Sequence, residues 1–188
     1  LDENHRVYYA MLNAFDDAVG DVNQAVKDLG IEENTIIWFL SDNGGASYTG
    51  ATDNGPLKGG KMTHFAGGVN ILMSMKWPAI VPAGTVHEKS ISSLDLYVTS
   101  ATQSGMELPA DRIYDGVDLV PFITDTKQQI EPHDNIYFRA DHIKGMIQGK
   151  HKFVRSTRDD WIELYNLEED KSEMQNNYEL NLELFENM

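Results

Sequence analysis

The chain is 188 residues long, 41% of them apolar and none of them cysteine, and it carries a formal charge of −15. That is the size of one domain, or one domain with a small appendage. The acidity opposes a nucleic-acid partner or an anionic membrane surface, the missing cysteines exclude disulfides, zinc–thiolate sites and a cysteine nucleophile within the chain, and no apolar run reaches the roughly 18 residues of a membrane span.

Leu1-Asp2-Glu3-Asn4, with no initiator Met, reads as the middle of a longer protein. From His5 to Leu29 the apolar residues Val7, Tyr8, Met11, Leu12, Phe15, Ala18, Val19, Val22, Ala25, Val26 and Leu29 recur at spacings of three and four. This is one stripe of a long amphipathic helix, and Gly30 stands where a left-handed residue would end it. Ile36 to Leu40 lacks alternation, as expected of a strand covered on both faces of a parallel sheet. Gly44 to Gly60 holds six glycines and little that could pack, so it reads as an ordered functional loop. Val69 to Trp77 is a second strand candidate. Ser92 or Ser93 can cap a helix through Leu94, Tyr97, Val98 and Ala101 that stops at Gly105. Asp115 to Ile123 is expected to return to the surface.

Beyond Glu131 the pattern changes to short β-prone runs, "NIYFRA", "IKGMIQGKHKFVR" and "WIELYNL", separated by polar turns, with Gln148-Gly149 as a hairpin turn. They predict a small antiparallel sheet, with Asp170 to Met188 as a terminal helix packed on it. Within it Tyr137, Phe138, Phe153, Trp161 and Tyr165 read as core. The expected architecture is α/β: residues 1–130 form a mostly parallel sheet with flanking helices, and residues 131–188 a small α+β subdomain.

Asp42 and Asn43 follow the first strand, where open parallel sheets gather their ligands. A carboxylate and an amide carbonyl are two hard oxygen donors of the kind Ca²⁺ or Mg²⁺ takes, too few to complete a shell of about six to eight. Lys61 is a point cation suited to an oxyanion. Between residues 44 and 64 the one acid is Asp53, against Lys58 and Lys61, so the loop is basic within an acidic chain. Read by itself, Asp42-Asn43-Gly44 is better explained as a turn after a strand, since all three are turn formers. Asp16-Asp17 reads as a solvated helix face, and His87, His133, His142 and His151 as surface or turn residues.

"SDNGG" at Ser41–Gly45 and "NGPLKGGKMTHFAGGVN" at Asn54–Asn70 resemble the type I sulfatases of the alkaline-phosphatase superfamily. "YYAMLNAFDDAVGDV", "ISSLDLYVTSATQSG", "YDGVDLVPFI" and "GKHKFVR" with "ELYNLEEDKSEMQNN" are similar to further blocks of that family, in its order. The resemblance implies the C-terminal portion of an alkaline-phosphatase-like sandwich. It implies that Asp42 and Asn43 are ligands of a divalent cation, Ca²⁺ or else Mg²⁺, and that Lys61 contacts the sulfate. His64, three residues after Lys61, reads either as a border of the substrate pocket or as a plain loop residue. The family nucleophile is a formylglycine made from the Cys or Ser of a C/S-x-P-x-R motif, which this chain does not contain. Ala66, Asn70 and Met62 depart from the family's glutamate, arginine and glycine.

The expected function is therefore part of a sulfatase acting on a sulfate ester, of a carbohydrate by family habit, and inactive alone. A phosphonate or phosphate monoester hydrolase of the same superfamily is the alternative within catalysis, and a non-catalytic binding module the alternative outside it. Half of a doubly wound sheet leaves edges unpaired, so the expected partner is the missing N-terminal half or a second copy. Family habit implies a periplasmic or secreted protein; the residues themselves leave the location open.

Overall fold

The computed structural model describes residues 2–124 and 130–183. Helix α1 runs Glu3–Asp28, as the periodicity predicts. Gly30 closes it at φ +68°, with its N–H on the Lys27 carbonyl and that of Ile31 on Val26, the paired bonds of a Schellman cap. The apolar stripe behaves differently from expectation, since no residue of α1 is buried and Met11 remains 65% exposed.

Strand β1, Ile37–Leu40, pairs with β2, Met73–Lys76. Every residue of β1 is only half-buried, so the strand is not covered on both faces as its unbroken apolar run suggests. The run predicted as strand from Val69 begins instead with one helical turn, α2, Ala66–Val69.

Contacts divide the chain into two compact units, Leu1–Ala25 with Leu40–Met73 and Tyr137–Met188, and Val26–Phe39 with Ser74–Ile136. In the second, α3, Asp95–Gln103, and α4, Val120–Thr124, accompany a core of Trp77, Val98, Ala101 and Leu119. Leu119 is 2% exposed, so the Asp115–Ile123 stretch sends a side chain inward where the sequence suggested surface. Neither Ser92 nor Ser93 caps α3. Asp95, wholly buried, accepts the N–H groups of Ser92 (2.7 Å) and Val117 (2.9 Å) and meets His133 Nε2 at 2.9–3.0 Å. His133 is therefore a buried partner of a carboxylate rather than a surface residue. Gly105 stops the helix at φ +77°.

In the first unit four strands lie in sequence order: β3 Ile136–Ala140, β4 Ile143–Gln148, β5 His151–Ser156 and β6 Trp161–Asn166. β4, β5 and β6 pair antiparallel, and Gln148 opposes His151, so the hairpin turns at Gly149-Lys150, one residue later than predicted. Alternation along β5 buries Lys152, Val154 and Ser156. Their cross-strand partners on β6 are Tyr165, Glu163 and Trp161, so these six share one face. Phe153 opposes Leu164 on the other face. Tyr137, predicted as core, is 71% exposed. After β6 the chain makes turns through residue 180, so the helix predicted from Asp170 does not start there; residues 182–183 are helical, and residues 184–188 lie outside the described residues.

Leu164 is 1% exposed, so Leu164→Ala should cost about 3 kcal/mol, whereas Tyr137→Ala should stay within about 0.5 kcal/mol. Urea unfolding of the two variants beside the wild type measures both.

Candidate functional site

The chain leaving β1 and the glycine-rich loop form one clasp. Gly45 is its hub: its N–H donates to Asn54 Oδ1 at 2.8 Å, and its carbonyl accepts from Asn54 Nδ2 at 2.9 Å. The Asn54 amide thus pairs with a peptide unit as another peptide would. The same Gly45 carbonyl accepts the Lys61 main-chain N–H at 3.0 Å, and the Gly44 N–H donates to Gly68 at 2.9 Å. These bonds bring Lys61 to a point two residues beyond Asn43.

Glycine is required here by close approach. A Cβ on Gly44 would lie 1.7 Å from the Gly67 carbonyl oxygen, and one on Gly60 would lie 2.7 Å from that of Gly45. Main chain touches main chain, with no room between the layers.

The two lysines of the loop have different fates. Lys58 Nζ lies 2.6 Å from Glu163 Oε2 and 2.8 Å from the Tyr165 hydroxyl, over the Phe65 ring at 4.1 Å. Its charge is paired, which corrects the reading of the loop as doubly basic. Lys61 is exposed, and its ammonium makes no ion pair or hydrogen bond among the described residues. One free cation therefore stands at the clasp.

The segment after Lys61 packs on the face of the sheet that carries Lys152, Glu163 and Tyr165. Phe65 stacks on Trp161 with centroids 6.0 Å apart and stands edge-on to Tyr165. Gly145 leaves space for Phe138, whose ring meets His64 edge-on at 6.3 Å. The Ala66 N–H donates to Glu173 Oε2 at 2.6 Å, and Glu173 Oε1 pairs with Lys152 Nζ at 2.6 Å. Both charged side chains are at least 98% buried. Burial pulls the Lys152 ammonium below its usual range, while Glu173 opposes the shift.

His64 is 8% exposed and its Nδ1 has no hydrogen-bond partner. Burial, and then the charge of Lys152, hold its imidazole below the usual 6.5. It is a packed residue of the loop more than an open wall of a pocket.

Asp42 is exposed and Asn43 half-exposed, and neither side chain is engaged by a hydrogen bond or ion pair among the described residues. A carboxylate and an amide oxygen without a protein partner among those residues fit part of a Ca²⁺ or Mg²⁺ shell. No group of three or more His, Asp or Glu placed to hold a metal occurs among the described residues, so this pair would be a partial set. Sequence reasoning singled out Asp42, Asn43 and Lys61 and counted Lys58 only as loop charge, but passed over Asn54, Glu163, Lys152 and Glu173. All of these lie within the quoted motif blocks, yet only the tertiary structure brings Lys58 to Glu163, 105 positions on, and Lys152 to Glu173.

The Sulfatase family model matches residues 2–106. N-acetylgalactosamine-6-sulfatase of Mus musculus is 34% identical over 148 residues, which cover 77% of this chain and 28% of that enzyme. The uncharacterized sulfatase YdeN of Escherichia coli strain K12 is 34% identical over 170 residues, 86% of this chain and 30% of that protein. Among solved structures, Ps i-CgsB in complex with k-i-k-neocarrahexaose superposes with a TM-score of 0.89 at 31% identity, over 100% of this chain and 42% of that one. The fold is thus the alkaline-phosphatase-like α/β fold of these neighbours, and the chain spans less than a third of the curated relatives' length.

Gly44→Ala should destabilise the protein by about 3 kcal/mol, because backbone cannot yield as a flexible side chain would. Thermal unfolding measures it. A depressed imidazole means that the unfolded chain takes up a proton more readily than the folded one. The stability due to neutral His64 is complete above pH 6.5 and is lost as pH falls from there through the folded-state pKa. His87, also depressed by burial, adds to the trend. His64→Gln should flatten this acid-side loss in unfolding midpoints taken across the window; an unchanged slope would assign the loss to other groups.

Proposed function

The chain belongs to the sulfatase family, and from that premise we propose that it supplies the cation- and anion-binding wall of an enzyme that hydrolyses sulfate esters. The observation that carries this reading is the clasp at Gly45. It holds an unpaired, exposed Lys61 beside the turn that presents the unengaged side chains of Asp42 and Asn43.

In this reading Asp42 and Asn43 hold a divalent cation, Ca²⁺ foremost, through a carboxylate oxygen and an amide oxygen. When bound, that ion supplies Lewis-acid polarisation of the sulfuryl oxygens. Lys61 offers three N–H donors and a full positive charge to the same oxygens, where negative charge grows during cleavage. Asn54 and the glycines keep Lys61 in place before substrate arrives, so little reorganisation is left for the reaction itself. Met62 extends 84% exposed from a main chain at φ +75°, next to the group that meets substrate.

The nucleophile in this reading is a formylglycine from outside these 188 residues, which hold no Cys and no Ser in the required pattern. The chain would then be catalytically incomplete alone. Carbohydrate sulfates are the proposed substrate class. The named sugar sulfatase among the relatives and the neocarrahexaose complex among the neighbours support it. An exported enzyme suits such substrates. No described helix is long and apolar enough to cross a membrane.

In the complete protein, Lys61→Ala and Asp42→Ala should each lower kcat/KM for 4-nitrophenyl sulfate by about a hundredfold or more, with the fold retained. Ca²⁺ should raise the melting temperature of the wild type but not of Asp42→Ala. Near-normal turnover of either variant would sink the assignment, and faster cleavage of 4-nitrophenyl phosphate than of the sulfate would move the protein to the phosphoesterases.

A further inference from the structure

Lys61 lies in a short segment that is tied to the four-stranded sheet on both sides. Three residues before it, Lys58 reaches Glu163 at 2.6 Å and the Tyr165 hydroxyl at 2.8 Å, and that hydroxyl itself donates to Glu163. Five residues after it, the Ala66 N–H is held at 2.6 Å by Glu173, which the buried ammonium of Lys152 balances at 2.6 Å. Phe65, stacked on Trp161, lies beside this second tie. Lys152, Trp161, Glu163 and Tyr165 all project from one face of β5 and β6. Between the ties stand Gly59 and Gly60, which have no side chain to anchor them.

Stability alone accounts poorly for this arrangement. A buried ion pair adds little that a well-packed apolar pair would not, because desolvation offsets its attraction. What charged groups with fixed hydrogen bonds add is direction: each tie holds a named atom of the loop at one place on the sheet. Placement within about 1 Å matters for a group that must meet developing charge.

We propose that Lys58–Glu163–Tyr165 and Lys152–Glu173 are two latches that position Lys61, so that the antiparallel sheet sets where its ammonium meets the sulfate ester. The proposal rests on the reading of Lys61 as the sulfate-binding lysine. Glu163, Glu173 and their lysines act through Lys61 and are positioning residues, with no contact to substrate of their own.

The test uses the complete protein with 4-nitrophenyl sulfate and hydrogen exchange of the peptides covering residues 58–66. Glu163 is a quarter exposed, so Glu163→Gln should fold even where Glu173→Gln does not. Glu163→Gln should speed exchange across 58–66 and lower kcat/KM roughly ten- to a hundredfold. The loss should fall in kcat with KM little changed, since Lys61 acts most strongly on the transition state. Lys58→Arg keeps a cation over Phe65 and a donor toward Glu163, and should stay within about threefold of wild type. Faster exchange with unchanged kcat/KM would overturn the latches and leave them as packing. So would an activity loss that only tracks the amount of folded protein. Lys61→Ala in the same assay separates the two claims: near-normal turnover there removes the Lys61 reading itself, whereas a crippled Lys61→Ala beside an indifferent Glu163→Gln removes the latches alone.

Discussion

Two stretches of main chain press together with no side chain between them: Gly44 against the carbonyl of Gly67, and Gly60 against that of Gly45. The rest of the site depends on this contact. Without Cβ atoms the turn after β1 and the loop ending at Lys61 can share hydrogen bonds directly, and Asn54 supplies the one side chain that a peptide-like pairing needs. A loop so rich in glycine would otherwise have many conformations to lose. Bonds between its own peptide groups and those of the β1 turn confine it, which is how a segment with almost no apolar core can hold a charged residue still.

The sheet extends that confinement. β5 places a lysine at a buried position, where an uncompensated ammonium would be costly. Glu173 answers it from a turn, at a left-handed φ of +56°, and also accepts the N–H of Ala66. One carboxylate therefore satisfies a cation and a backbone donor at once. The second unit uses the same device independently: Asp95 is wholly buried and serves two main-chain N–H groups and His133. Carboxylates in this acidic chain are thus not all solvated surface. Two of them are buried organising centres, each tying segments far apart in sequence.

Charge is arranged accordingly. With Lys58 neutralised by Glu163, the loop keeps one free cation instead of two, and a single ammonium defines a single place for an anion. The overall charge of −15 makes such a spot conspicuous to a negatively charged group only at short range, because salt screens fields beyond about 8–10 Å. On the proposed reading, recognition would then come from contact with the ammonium and with a cation held by Asp42 and Asn43.

Local chemistry was legible in the residues themselves. The three-and-four spacing and Gly30 define α1 and its cap, alternation and turn residues mark the four short strands, and the motif blocks single out Asp42, Asn43 and Lys61 as candidates. Periodicity reports what each residue's neighbours along the chain require, and turn glycines report backbone angles, so both survive in one dimension. Which face meets which partner does not. That Lys58 finds Glu163, 105 positions later, that Lys152 is buried against Glu173, that His133 is buried with Asp95, and that the α1 stripe and Tyr137 stay exposed were decided by tertiary packing alone. A lysine in a strand looks the same in sequence whether it faces water or a carboxylate, because the difference is desolvation, and desolvation is set by atoms far away along the chain.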